Sequence, residues 1–314
     1  MKKLILAILC LLTSFSVAFP LTVAHKFGEI TLAKKPMRVV SVGYSDQDDI
    51  LALGIKPVGL RDWYGNQPYA TWPWAQDELG SAKPIIIGAA ELDYEAIAAL
   101  KPDVIIGISS GMDEDTYRKL AVIAPTLAQS SDYIEYGTPW DARHLTIGKI
   151  LGEETQAITN VNRLNTRINS IAQQNPDFNG KTAAVAFYWS GQPGVYASSD
   201  LRPRFLQQLG FTTPAVYDTL ASDAFYASFS LERLDLLNQD LVIWLSGGDA
   251  LQDANEVPLR RQMPFFKEGR EVFVGEILGG AFSFFSPLSI DYLLDELIPQ
   301  IQLAIDGDPT TQVH

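Results

Sequence analysis

Residues 92–111, LDYEAIAALKPDVIIGISSG, align without a gap to residues 229–248, FSLERLDLLNQDLVIWLSGG. The alignment matches Glu95 with Glu232, Leu100 with Leu237, Asp103 with Asp240, Ile106 with Ile243, Ser109 with Ser246 and Gly111 with Gly248. Each copy reads as a helix capped by Asp93 or Ser230, a turn, a buried strand, and a Ser/Gly loop at the strand's carboxyl end. A fainter echo pairs Ile50-Leu53-Gly54-Ile55 with Leu206-Leu209-Gly210-Phe211. Such a chain is constrained to two related lobes, although two unrelated βαβ units would share part of the pattern. From Gly54 to Glu95 there are 41 positions, against 22 from Gly210 to Glu232. The extra length falls around Trp63 to Gly80, a stretch rich in Trp, Tyr and Pro.

Short β-branched runs alternate with helix-length segments. They are Val39-Val40-Ser41-Val42, Val58-Gly59-Leu60, Ile85-Ile86-Ile87 and Val104-Ile105-Ile106, then Ala183 to Phe187, Leu241 to Leu245 and Val272-Phe273-Val274. Runs apolar at consecutive positions point to parallel strands covered on both faces, so the expected fold class is α/β with mainly parallel sheets. Between the lobes, Ile158, Val161, Leu164, Ile168 and Ile171 recur at threes and fours, which marks one amphipathic helix over Glu153 to Asn175. At 1.5 Å per residue it extends about 30 Å, and it acts as a strut that limits hinge closure. The expected layout is an N-terminal lobe over 19–152, the helix over 153–175 and a C-terminal lobe over 176–314, consistent with roughly 150 residues per domain.

Residues 1–18 stand apart. Lys2 and Lys3 precede the apolar run Leu4 to Leu12, and small residues follow to Ala18, the order of a secretory signal cut after Ser16-Val17-Ala18. The only cysteine, Cys10, lies inside it, behind Leu9 and after too short an apolar core for lipid attachment. Without the signal, Lys plus Arg falls from 24 to 22 against 37 Asp plus Glu, a net charge of about −15. That balance excludes a nucleic-acid partner, whose phosphates would be repelled. The mature chain then has no disulfide, thiolate metal site or cysteine nucleophile. Its three histidines, His25, His144 and His314, have no ligand-like spacing, so no metal site is expected.

One motif invites an enzyme. Gly107-Ile108-Ser109-Ser110-Gly111 spells G-x-S-x-G after a strand, the context of a nucleophile elbow. Only His144 and His314 follow Ser109, and Ser246-Gly247-Gly248 keeps the turn while losing the motif, so a shared strand-end loop is the plainer reading. Aromatics lead further. Tyr44 follows the first strand; Arg61, Trp63 and Tyr64 follow the second; Tyr188 and Trp189 follow the first strand of the second lobe. Trp244 lies near a strand end, and Phe282, Phe284 and Phe285 cluster in what reads as a loop after Gly275. Open α/β sheets bind ligands outside the carboxyl ends of their strands, and rings there suit a bulky, partly apolar ligand. The competing reading of each ring singly is core or lobe contact.

The stretches KKPMRVVSVGYSDQDDILALGIKPVGL, LDYEAIAALKPDVIIG, LRPRFLQQLGF, SLERLDLLNQDLVIW and SPLSIDYLLDELIP resemble the periplasmic substrate-binding proteins of ferric-siderophore ABC importers, a family with haem and cobalamin binders among its members. The resemblance covers about residues 27 to 306. It implies two α/β lobes joined by one long helix (the class III arrangement), a monomer exported to the periplasm, and an iron chelate bound between the lobes without chemistry or a cofactor. It also implies that Glu95 and Glu232 dock into arginine pockets of a dimeric ABC permease in the inner membrane. The same glutamates could simply interact with their helix dipoles. For the ligand, Arg61 would reach oxygens while Trp63, Tyr64, Trp189 and Trp244 line the rim, with Tyr44, Tyr188 and Phe282 beside them. Several hydroxamate binders of the family carry an arginine after the third strand, where this chain has Ala89-Ala90. Arg202 and Arg204 are secondary candidates, read first as surface ion-pair residues. The negative charge tilts the choice toward a neutral or cationic ferric hydroxamate, within the limits of screening. Haem, with Tyr44 or Tyr64 as axial phenolate, or cobalamin is the alternative within the family. A secreted serine hydrolase using Ser109, or an envelope adhesion or sensor module, is the alternative outside it.

Overall fold

The structure is a computed structural model that describes residues 19–308, 310 and 311. The segment expected as a secretory signal, Cys10 and His314 lie outside the described residues. An N-terminal hairpin, β1 (Leu21–His25) and β2 (Gly28–Leu32), precedes the first lobe. That lobe is a fully parallel sheet of β3 (Val39–Ser41), β4 (Gly59–Leu60), β5 (Ile85–Ile86), β6 (Val104–Gly107) and β7 (Thr126–Ala128), in the order β5-β4-β3-β6-β7. Its helices are α1 (Asp46–Ala52), α2 (Gln76–Leu79), α3 (Tyr94–Ala99), α4 (Glu114–Ile123) and α5 (Trp140–Ile150).

A single helix, α6 (Glu154–Gln174), leads to the second lobe. There β8 (Ala183–Trp189), β9 (Gln192–Tyr196), β10 (Tyr226–Ser228), β11 (Leu241–Leu245) and β12 (Glu271–Val274) form the order β10-β9-β8-β11-β12. The pairs β8–β11 and β11–β12 are parallel, while β9 runs antiparallel to both its neighbours. Helices α7 (Leu201–Gln208), α8 (Ala215–Ala221), α9 (Ala250–Asn255), α10 (Pro264–Lys267), α11 (Glu276–Phe284) and α12 (Pro287–Ala304) complete it.

The consecutive apolar runs divide by parity between two faces, as side chains on a pleated strand must. In β6, Val104 and Ile106 pack with Ile50, Ile147 and Ile150, whereas Ile105 packs with Ile97 and Leu120. In β11, Leu241 and Ile243 pack with Leu164, Leu293 and Leu297, whereas Val242 and Trp244 pack with Leu237 and Phe265. Helix α6 belongs to both lobes, with Ala157 in the core of the first and Val161, Leu164 and Ile168 in that of the second.

The sequence echo has a structural counterpart. Asp93 caps α3 by accepting from the Ala96 N–H, and Ser230 caps a 3-10 helix (Leu231–Leu237) by accepting from the Glu232 N–H. Asp103 accepts from the Met37 and Arg38 N–H groups, both at 2.9 Å, immediately before β3. Its partner Asp240 accepts from the Thr182 N–H at 2.7 Å and the Thr182 hydroxyl at 2.9 Å, immediately before β8. In each lobe a matched carboxylate tethers the chain as it enters the first strand of the sheet.

The segment expected as a loop around Phe282 is instead α11, in which Phe282 and Phe284 are buried. Its consecutive glycines have a packing reason. A Cβ on Gly280 would lie 2.6 Å from the indole of Trp72, so the bare backbone of α11 lets a ring from the other lobe come into contact.

Candidate functional site

The loops beyond the carboxyl ends of β3, β4, β6 and β7 in the first lobe meet the start of α7, the residue before β10 and α11 of the second lobe around a cleft of about 360 Å³. From the first lobe it receives Tyr44, Trp63, Ser109, Tyr136 and Arg143; from the second, Asp200, Arg202, Phe225 and Ser283. Tyr44 reaches it through a tight turn after β3, where a Cβ on Gly43 would lie 2.0 Å from an Asp46 carboxylate oxygen. The ring centroids of Tyr44 and Trp63 are 5.5 Å apart, those of Tyr44 and Tyr136 6.4 Å. Burial, and then the neighbouring Glu135, pushes the Tyr136 phenol above its ordinary range, so it enters the cleft as a hydroxyl.

Arg61 stands behind this wall. Its Nε donates to the Ala89 carbonyl at 2.7 Å, and its Nη2 donates to the Ala90 carbonyl at 2.8 Å and the Tyr44 hydroxyl at 2.7 Å. The guanidinium lies 4.1 Å from the Tyr44 ring centroid and is 7% exposed. With Nε and Nη2 engaged by two backbone carbonyls and the Tyr44 hydroxyl, Arg61 orients Tyr44, and the small residues Ala89 and Ala90 supply carbonyls in place of a cation. Tyr64 is half-buried against Trp63 and Trp72, at 4.8 and 5.1 Å. Burial pushes its phenol up, against the pull of Ser283 and Arg202, which disfavours the phenolate an axial haem ligand would need.

Tyr188 and Trp189 line an adjoining concavity in the second lobe, half-buried and exposed respectively. Trp244 and Phe282 reach neither space. Trp244 is 2% exposed in the β11 ladder, its Nε1 donating to Glu271 at 2.6 Å, and Phe282 is fully buried against Phe205. Trp244 lies inside the paired part of its strand, where a side chain is directed onto a flank of the sheet and not past its end. Phe282 occupies the core side of α11, while the next residue, Ser283, turns to the cleft.

Arg202 departs from the surface ion pair expected of it. It is 8% exposed and lines the cleft. Its Nη1 donates to both Asp200 oxygens at 3.1 and 3.0 Å, and its Nη2 donates to the Ser283 hydroxyl at 2.9 Å. Its Nε is buried without a hydrogen-bond partner. A buried donor left unpaired costs about 1–3 kcal/mol. Tyr136 and Phe225 were not anticipated, because the short β7 and β10 that lead to or from their loops carry no apolar run long enough to be read as strands.

Ser109 lines the cleft but is not a poised nucleophile. Its hydroxyl donates to Asp46 at 2.6 Å, and its N–H is 3.1 Å from both oxygens of that carboxylate. His144, the late histidine within the described residues, is fully buried with Nδ1 3.0 Å from Asp49 and Nε2 3.1 Å from Asn160. Ser246, matched to Ser109 by the echo, likewise donates to an aspartate, Asp253. Among the described residues no group of three or more His, Cys, Asp or Glu side chains could hold a metal ion.

The two lobes are also pinned beneath the cleft. Arg143 donates from Nε to Asp49 at 2.7 Å and from Nη2 to the carbonyls of Phe284 and Phe285 at 3.2 and 3.0 Å. Asp48 accepts from Trp74 Nε1 at 2.7 Å and from the Ser286 hydroxyl at 2.8 Å, the latter across the lobes. Burial pushes the Asp48 carboxyl up to about 7, against the pull of those two hydrogen bonds.

The paired glutamates are not among the residues lining the cleft. Glu95 and Glu232 are exposed in the first turns of matched helices, each helix starting after the carboxyl end of a strand, β5 or β10.

A cleft shared by two α/β lobes on one connecting helix, walled by rings and a buried guanidinium, defines a two-lobed solute-binding protein. Residues 39–276 match the family described as periplasmic binding protein, and the chain belongs to that family, which is substrate-binding. It is 29% identical over 195 residues to the probable siderophore-binding lipoprotein YfiY of Bacillus subtilis, an alignment covering 62% of this chain and 57% of that protein's length. It is 30% identical over 230 residues to the Fe(3+) dicitrate-binding periplasmic protein FecB of Escherichia coli, covering 73% of this chain and 72% of that protein. The crystal structure of Streptococcus pneumoniae PiaA in complex with ferrichrome matches it with a TM-score of 0.77 at 26% identity, covering 91% of this chain and 99% of that one. Among the described residues no helix is long and apolar enough to cross a membrane.

Proposed function

We propose that this protein is the periplasmic solute-binding component of an ABC importer, capturing an intact ferric siderophore between its lobes and delivering it unchanged to the permease. The observation that carries this reading is the cleft itself, in which Tyr44, Trp63 and Tyr136 of one lobe meet Phe225 and the Arg202 guanidinium of the other. In an iron–siderophore complex the chelator supplies the metal's ligands, so the protein has only to recognise the organic shell. Tyr44, Trp63, Tyr136 and Phe225 provide apolar walls, while Arg202 and the Tyr136 hydroxyl meet ligand oxygens. A compact ferric hydroxamate fits this set, and its relatives' ligands, named as siderophores or ferric dicitrate, support the iron-chelate class. The protein acts as a monomer.

The test is tryptophan fluorescence against ferric hydroxamates, catecholates, citrate, haem and cobalamin. Saturable quenching by a ferric chelate is expected, with Trp63 at the cleft as reporter. A response confined to haem, with a Soret band, would replace this reading by the haem alternative. Delivery rests on Glu95 and Glu232 as contacts for basic pockets of a dimeric permease. Glu95→Ala combined with Glu232→Ala is expected to abolish uptake in cells while ligand affinity stays unchanged; a parallel loss of affinity would refute the docking role.

A further inference from the structure

The concavity beside the cleft has a chemistry of its own. It is an open concavity of about 330 Å³ against Phe187, Tyr188, Trp189, Tyr196, Phe225 and Tyr226, with Ser246 and Asp253 also in its lining. Phe225 lines both spaces, so an occupant of the cleft has this second space within reach. The walls form corners. Phe187 meets Tyr196 at 63° and Tyr226 at 70°, and Phe225 meets Tyr226 at 64°, with centroids 5.2 to 5.9 Å apart. The two-residue turn between β8 and β9 takes positive φ at both Ser190 and Gly191, the conformation of a tight hairpin. That turn holds Trp189 at the lip, 74% exposed.

The electrostatics have one sign. An aromatic face is electronegative, and no lysine or arginine is among the lining residues. Asp253 accepts the Ser246 hydroxyl with Oδ2, while its Oδ1 has no hydrogen-bond partner and its carboxylate forms no ion pair among the described residues. The Arg202 guanidinium lies 4.3 Å from the Tyr196 ring centroid, but it is neutralised by Asp200 through two hydrogen bonds. Rings on several sides with a carboxylate below and no cation among them suit an ammonium group, which gains from ring faces and from the charge. A purely apolar occupant would gain nothing from Asp253.

We propose that this box is a subsite for a protonated amine or quaternary ammonium carried by the ligand, seated beside the chelate held in the cleft. The inference builds on the reading of the cleft as a chelate site but can be tested without iron. Choline and its uncharged isostere 3,3-dimethylbutan-1-ol are titrated into the full mature chain, with isothermal titration calorimetry as the readout. Choline is expected to bind saturably and at least about tenfold more tightly than the isostere. Asp253→Asn and, independently, Trp189→Ala are each expected to weaken choline about fivefold or more. Equal affinity for the two probes, no saturable choline binding, or choline binding unchanged in both variants would overturn the proposal. Trp189→Ala keeps the test decisive should Asp253→Asn unfold, because that ring lies largely in solvent.

A second arm uses one linear ferric trihydroxamate with its terminal amine free or acetylated. The free amine is expected to bind about tenfold more tightly, a preference lost in Asp253→Asn. A preference that survives this substitution refutes the subsite. Choline binding with no response to any ferric chelate would refute the chelate reading and leave the box standing.

Discussion

Two of the molecule's aromatic clusters have opposite fates. The insertion that lengthens the first half of the chain sends Trp72 and Trp74 into the joint between the lobes. They stack at 5.0 Å and 13° and meet Phe284 and Tyr292 of the second lobe at 5.6 to 6.0 Å. The rings around Phe187, Tyr196 and Tyr226 touch one another within the second lobe and border an open space. Composition does not separate the two groups. What separates them is contact with the other lobe, which converts a ring from pocket wall into joint. Of the insertion's tryptophans, Trp63 keeps both characters, with Phe284 at 5.5 Å and 38% of its surface exposed beside the cleft.

The comparison can be broken most forcefully at Trp72. Trp72→Ala removes a ring 1% exposed, and a loss of about 3–5 kcal/mol in denaturant unfolding is expected. A loss below 1 kcal/mol would mean the joint is not packed as described. Asp48 tests the same joint through pH. Its folded-state value of about 7 lies above its ordinary 3.8, so the folded protein holds a proton that the unfolded chain releases. The contribution is full below about pH 4 and is lost as pH rises through about 7, with an upper bound of roughly 4 kcal/mol. Asp48→Asn should flatten that decline, leaving the variant at least as stable as the native chain at pH 8 by thermal melting. Steeper loss in the variant would contradict the burial argument. Gly280→Ala forces a Cβ against the Trp72 indole, and about 1–3 kcal/mol of destabilisation is expected. Trp189→Ala, on the open cluster, should change stability by no more than about 0.5 kcal/mol. A larger effect would show that this ring also supports the fold.

Much of the fold could be read from the chain because parallel strands buried on both faces carry consecutive apolar residues. Val104-Ile105-Ile106 and Leu241 to Leu245 declared themselves in that way. The strand β9 did not, since its Pro193 and Gly194 argue against a strand, yet it pairs on both sides. Missing β9 and β10 meant that the box between them and β8 was not anticipated, although Tyr188 and Trp189 were picked out. In the cleft, Tyr44 and Trp63 were legible because they lie beyond the last paired residue of their strands. Trp244 was misplaced because proximity to a strand end was taken as sufficient, when pairing with Ala186 and Phe273 fixes it on a sheet flank. Arg202 resisted reading for another reason. Only the folded chain shows that Ser283 packs beside it and that it lines the cleft.

Helix α6 has its side chains seated in both cores, so the mouth cannot widen without flexing that beam or dislodging it from one of its sockets. Random thermal jostling is poorly suited to either. In the proposed transport cycle, unloading becomes a question of leverage: a membrane machine gripping the two distant rims could prise the jaws apart where diffusion alone would leave the cargo clasped.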